Sequence, residues 1–170
     1  MPQTQPTRPT AAHWARFGWN VLNLSTPLGI LIAALGRGRL HWGPRALVFA
    51  EGYRFDFPNA GAFTVGGVVL TKQTMAELEI RHPGTLDHEN AHAWQYAGLL
   101  GLPFLPAYLV CCGWSWLRTG DVASANLFER GAGLARGGYH ERPISNAGFK
   151  TLRRLVTRAG SPPGPATPAG

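Results

Sequence analysis

Two histidines four residues apart with a glutamate between them, His88-Glu89-Asn90-Ala91-His92, constrain this chain more than any other feature. Side chains at i and i+4 meet on one face only if the segment is helical, at 3.6 residues per turn. On such a helix both imidazoles can reach one metal ion at the roughly 2.0 to 2.1 Å of a Zn–N bond, and Glu89 is turned toward the same side without being a ligand. The flanking residues agree with a helix. Pro83-Gly84 reads as a turn, Thr85 as a cap, and Asp87 as an acid that complements the dipole in the first turn. With 6 histidines in 170 residues, chance produces an HExxH in a chain of this composition roughly 1% of the time. The competing reading is a structural helix whose histidines are merely hydrogen-bonded.

Upstream, residues 45–71 have strand character. Ala46-Leu47-Val48-Phe49-Ala50 leads to a Glu51-Gly52 turn and the alternating Tyr53-Arg54-Phe55-Asp56-Phe57. Phe63-Thr64-Val65 and Val68-Val69-Leu70-Thr71 then flank Gly66-Gly67, which serves as a turn or a bulge. The expected class is α+β, with a small antiparallel sheet packed with helices immediately before the motif helix.

At the five motif residues the chain resembles the zincin metallopeptidases, whose active-site helix carries HExxH. The stretch Asn126-Leu127-Phe128-Glu129-Arg130-Gly131-Ala132 is similar to the glutamate-ligand branch, the gluzincins, in which a second helix presents ExxA, commonly followed by Asp. Gly133 stands here where that Asp would be. The longer run, His-Glu-x-x-His-x-x-Gln, then Leu-Pro, then Asn-x-Phe-Glu, is similar to small uncharacterised bacterial zincin-like proteins. The resemblance implies a Zn2+ ion held by His88, His92 and Glu129, a fourth position for water, and Glu89 as the general base of peptide hydrolysis. It also implies a sheet edge lying over the active-site helix, where an extended peptide or protein substrate can add as a strand.

Beyond His92 the acidic residues are Asp121, Glu129 and Glu141. Asp121 follows Gly120 and reads as a helix cap. Glu141 and His140 fall in the glycine-rich turn from Gly137 to Pro143, whereas Glu129 sits on a helix that holds a ligand rigidly, so Glu129 ranks first. Its other reading is a solvated helix glutamate. Gln95 and Tyr96 lie three and four residues past His92, on the ligand face. Gln95 there is either an outer hydrogen-bond partner of a ligating histidine or a packing residue. Tyr139 and His140 are the sequence's options for transition-state stabilisation, each also explicable as structural. Trp94 points elsewhere and is expected in the core.

A chain of 170 residues with 45% hydrophobic content is large enough for one domain, assigned to residues 11–158, between disordered tails at 1–10 and 159–170. The net charge of +7 would suit an acidic partner or an anionic membrane surface, but 14 of the 16 basic residues are arginines scattered along the chain. With no zinc-finger spacing or RNA-binding signature, nucleic acid is not an expected partner. Cys111 and Cys112 are adjacent in an apolar run and are expected to be small buried hydrophobes. Phe17 to Gly36 and Ala97 to Leu117 carry no charge. Polar residues dilute the first, where Ser25 or Thr26 should cap a helix from Leu28 to Leu35, and Pro103 and Pro106 interrupt the second. Core helices, or helices lying on a membrane, fit better than spans, so the expected location is cytoplasmic or peripheral to the membrane, with an integral reading left open. The functional expectation is a zinc-dependent metallopeptidase. The alternative is a non-enzymatic, membrane-associated or partner-binding protein with a structural HExxH helix. Oligomeric state lies beyond the sequence.

Overall fold

Local capping chemistry sets where the elements begin, and the computed structural model describes residues 8–56 and 61–159. Helix α1 (Ala11–Leu22) starts at Thr10, whose hydroxyl accepts the His13 amide while the His13 ring takes the Thr10 amide. Helix α2 (Ser25–Leu35) follows a left-handed Leu24. Leu24 holds the cap position, not Ser25 or Thr26, and Asn23 Oδ1 just before it accepts both the Ser25 amide and the Ser25 hydroxyl. Four strands come next: β1 (Arg39–Trp42), β2 (Val48–Glu51), β3 (Ala62–Val65) and β4 (Val68–Thr71). The remaining helices are α3 (Met75–Arg81), α4 (Thr85–Gly98), α5 (Phe104–Thr119), α6 (Leu127–Ala132) and α7 (Ala147–Ala159).

The α+β class is as expected, and the sheet is mixed. Its order is β1-β2-β4-β3, with β1/β2 and β3/β4 antiparallel and the central pair β2/β4 parallel. The run beginning at Tyr53, expected as a strand, is irregular through Asp56, and Phe57 lies outside the described residues. Tyr53 is instead buried, edge-on to Phe55 and Phe63, and the Arg54 amide donates to the Gly36 carbonyl. The chain therefore leaves the sheet after Glu51 without a hairpin, and β4 takes the place beside β2. β1 was not foreseen: Arg39-Leu40-His41-Trp42 does alternate in polarity, but the run is only four residues long and all four are exposed.

Successive side chains of β2 and β4 enter opposite cores, as the two-residue period of a strand requires. Val48, Ala50, Val68 and Leu70 pack with Ala33, Tyr96 and Phe104, while Phe49 and Val69 pack with Met75, Leu78 and Ala93. Each such large apolar side chain contributes about 1.5–3 kcal/mol on burial. Helix α4 contributes to both cores, through Tyr96 and Ala93, and is thereby fixed against the sheet. Gly66-Gly67 is the β3/β4 turn. Gly66 has φ 63°, and a Cβ there would meet the Thr26 nitrogen at 2.3 Å, so only glycine lets α2 seat against this turn.

The buried Arg16 ties α1 to α4. Its guanidinium donates to the Arg45 and Ala46 carbonyls and to Asn90 Oδ1, and Arg45 in turn pairs with Asp87 at 2.6 Å. Burial, with Arg45 nearby, lowers the Arg16 pKa to about 10. Trp94 is not in the core but 42% exposed, with the Arg16 guanidinium stacked over its ring. Cys111 and Cys112 are free and half-buried, and Cys112 Sγ accepts from Asn126. Within the expected tails, Thr10 caps α1 and Ala159 ends α7; residues 1–7 and 160–170 lie outside the described residues.

Among the described residues no single helix is long and apolar enough to cross a membrane. Only α1 and α2 together meet that length and composition, and they are bent by 77°. Polar side chains bind this pair to the rest of the fold: Asn20 donates to the Ala93 carbonyl, and Thr26 accepts the Gly67 amide. The second apolar stretch is split by the turn at Leu100 and Gly101 between α4 and α5.

Candidate metal centre

Helix α4 carries the motif as expected, but Thr85 does not cap it. Gly84 is the cap position, at φ 97°, and the first-turn amides are taken by the Glu79 carboxylate of α3, from Gly84 at 2.7 Å and Leu86 at 3.0 Å. The Thr85 hydroxyl turns back to the His82 carbonyl. Asp87 sits in the first turn as expected.

His88, Glu89 and His92 are all buried on α4, and α6 brings a buried Glu129 against them. Nε2 of His88 and Nε2 of His92 are 3.1 Å apart, and they lie 3.2 and 3.7 Å from the Glu129 oxygens Oε2 and Oε1. The hydrogen bonds around the cluster assign the tautomers. His88 Nδ1 faces the Gly133 carbonyl at 3.2 Å, and a carbonyl only accepts, so Nδ1 carries the proton. Gln95 donates its amide to the Phe128 carbonyl at 2.9 Å, which turns Oε1 toward His92 Nδ1 at 2.8 Å and places the proton there too. Both Nε2 atoms therefore present lone pairs to one another and to a carboxylate.

Three electron-rich atoms this close repel unless a positive charge lies among them. A proton on one ring serves one contact at a time, whereas a metal ion serves all three. The donor set suits zinc: at bonds of 2.0 to 2.1 Å, tetrahedral ligand atoms stand about 3.3 Å apart, close to the separations observed. Glu129 Oε2 is buried without a hydrogen-bond donor, as expected of an atom reserved for a cation. Burial pushes the Glu129 carboxyl up, yet the facing His88 and His92 rings and the Tyr108 hydroxyl hold it well below the usual carboxylate range. Burial pulls His92 down, but Glu129 and the Glu89 charge leave it above the ordinary histidine value. The His/His/Glu geometry is characteristic of a Zn2+ site.

The missing Asp after ExxA is replaced by backbone: the Gly133 carbonyl accepts from His88 Nδ1. Gln95 Oε1 is hydrogen-bonded to His92 Nδ1. Tyr96 packs in the core. Tyr108 was missed in the sequence; its hydroxyl donates to Glu129 Oε1 from α5. Thr64, also missed, donates to Glu89 Oε2 at 2.7 Å from β3. Neither signal is visible in sequence, since each contact joins separate elements. Asp121 Oδ1 accepts the Ala123 and Ser124 amides and closes a turn, remote from ligation. Glu141 is exposed and pairs with Arg130, and His140 is exposed outside the pocket lining.

A pocket of ≈ 210 Å³ adjoins the cluster, lined by His88, Glu89, Tyr139, His82, Leu78 and Ala62 among others. Its rim requires glycine at 137, where a Cβ would meet His88 Cε1 at 2.6 Å. Burial and the Glu129 and Glu89 charges raise the Tyr139 pKa, so its hydroxyl stays protonated and able to donate.

Replacing Gln95 by Met is expected to leave the fold intact and weaken zinc binding about 10- to 100-fold, the usual cost of removing a ligand's outer partner. Competition with a chromophoric chelator measures this, and unchanged affinity would show that Gln95 only packs.

Comparison with protein-family models, with curated proteins and with solved structures returns no match for this chain. What identifies the centre is therefore its own chemistry: a buried pair of HExxH histidines joined by a glutamate from a second helix, the arrangement of a gluzincin-like active site.

Proposed function

We propose that this protein is a zinc-dependent peptidase, built as one zincin-like unit from residues 11–158. The observation that carries the reading is the convergence of three buried lone-pair atoms beside a fourth buried group, Glu89, that is not one of them. His88, His92 and Glu129 would hold the ion. Zinc held there would supply Lewis acidity, acidifying water and polarising the scissile carbonyl.

The chain's own residues do the rest. Thr64 engages one oxygen of Glu89 and so orients the carboxylate, while Oε1 has no hydrogen-bond partner among the described residues and takes the proton. Glu89 then passes that proton to the leaving amine. Tyr139 lines the same pocket and is the group best placed to donate to a developing oxyanion, in preference to the exposed His140. Gln95 keeps His92 in its ligating tautomer. Edge strand β3 packs on α4 and offers its backbone to an extended peptide or protein substrate, with the adjoining pocket for a side chain. We propose a location in the cytoplasm or peripheral to the membrane; α1 and α2 turn Arg16, Asn20, Ser25 and Thr26 into the fold, which disfavours this pair as a span.

Elemental analysis of protein purified without added metal is expected to find about one zinc per chain, the stoichiometry of one three-ligand site. Zinc absent both before and after reconstitution would remove the peptidase reading. Four protein ligands around the ion would favour the structural alternative.

A further inference from the structure

Helix α7 has no role in the metal centre, yet it is the most strongly segregated helix of the chain. From Phe149 to Thr157 every residue is exposed. Phe149, Leu152 and Val156 fall on one stripe by their i, i+3, i+7 spacing, with Leu155 at its edge; Lys150 and Arg154 fall opposite and Arg153 borders the stripe. Leu155 and Val156 are 57% and 72% exposed, so the apolar stripe faces water over its second half. A helix of 13 residues is marginal in water without packing on an apolar face. Helix α7 packs against α5, and its hydrogen-bonded anchorage lies at its start. The Ser145 and Asn146 amides donate to the Arg118 carbonyl of α5, and Gly148 lies so near Leu117 that a Cβ would approach its Cα to 2.6 Å.

Between Arg142 and Gly170 the sequence has five basic residues and no acidic one. An apolar stripe left exposed and flanked by cations is the form of a helix that lies in the plane of a bilayer surface. We propose that α7 docks this protein on membranes rich in anionic lipid, its apolar stripe in the acyl boundary and its basic face among the headgroups. Nucleic acid would use the basic face and leave the stripe in water. A second copy of the chain would cover the stripe but leave the basic faces without a counter-charge. The inference is independent of the peptidase reading, since no metal-centre residue takes part.

The test is flotation of the full chain with vesicles of phosphatidylglycerol and phosphatidylcholine, against phosphatidylcholine alone, at low and high salt. The expected result is binding to the anionic vesicles that falls with salt, because exposed charges are screened. Neutralising Arg153 and Arg154 to Gln should lower partitioning about 25-fold, at about fivefold per basic residue near an anionic surface. Leu155→Glu with Val156→Glu should abolish it, with zinc content and thermal unfolding as checks that the fold survives. Equal binding to neutral vesicles, or undiminished binding by both α7 variants, would overturn the proposal. So would a wild type that ignores vesicles but binds duplex nucleic acid, or one whose mass in solution is a dimer dispersed by Val156→Glu.

Discussion

Glu89→Gln is expected to lower peptide hydrolysis by about 10²–10⁴-fold, the range of a lost general acid–base group, while zinc content and fold are retained. The amide keeps the shape of the carboxylate and can still accept from the Thr64 hydroxyl, which in the wild type bonds Oε2 at 2.7 Å. It cannot accept a proton from water at neutral pH. Glu89 lies outside the His/His/Glu ligand set, so its metal affinity should change little. Hydrolysis at the wild-type rate in this variant would sink the mechanism. Thr64→Val offers a milder companion, with the same zinc content and slower turnover, because the carboxylate loses its orienting donor.

Loss of a ligand should act on the metal first. His88→Ala and His92→Ala are each expected to abolish stoichiometric zinc, since two ligand atoms remain of three. Glu129→Ala likewise leaves two ligand atoms of three and should weaken binding by more than the 10- to 100-fold typical of losing an outer partner. It also leaves Tyr108 without its acceptor and Gly133 still supporting His88. Glu141→Ala and Asp121→Ala should hold zinc as the wild type does, because the first carboxylate is exposed beside Arg130 and the second is engaged in its own turn. Chelator competition across the five variants separates these outcomes. Zinc retained equally by His88→Ala and His92→Ala would move the site elsewhere.

The HExxH segment was legible because its information is local. Two ligands on one helix need only helical spacing, and α4 delivers it even though Glu79, from the previous helix, supplies the cap that Thr85 was expected to provide. Glu129 was legible by the ExxA pattern and by the scarcity of acidic rivals. Its support was not. The backbone carbonyl of Gly133 has no sequence signature, and Tyr108 lay inside an apolar, proline-interrupted run that gave no hint of facing a carboxylate. Trp94 shows the same limit in reverse, since helical phase placed it off the ligand face but could not say that this side would meet Arg16 and solvent.

By itself, the sequence determined that apolar strand runs precede a period-3.6 helix, though not that the alternating run from Tyr53 would be irregular. It also determined the identity and spacing of the α4 ligands and the residue types from which a third could come. These depend on neighbours within a turn or two of backbone. The tertiary structure alone decided that β2 pairs in parallel with β4, that β3 becomes the edge over Glu89, and that α6 closes on α4 with Glu129 inward. It also decided the protons, because the Gly133 carbonyl and the Gln95 amide, through Phe128, direct both Nε2 lone pairs at one point. The physical reason is range: helix phase is set by bonds a few residues apart, whereas a metal centre is set by which faces bury together across the chain.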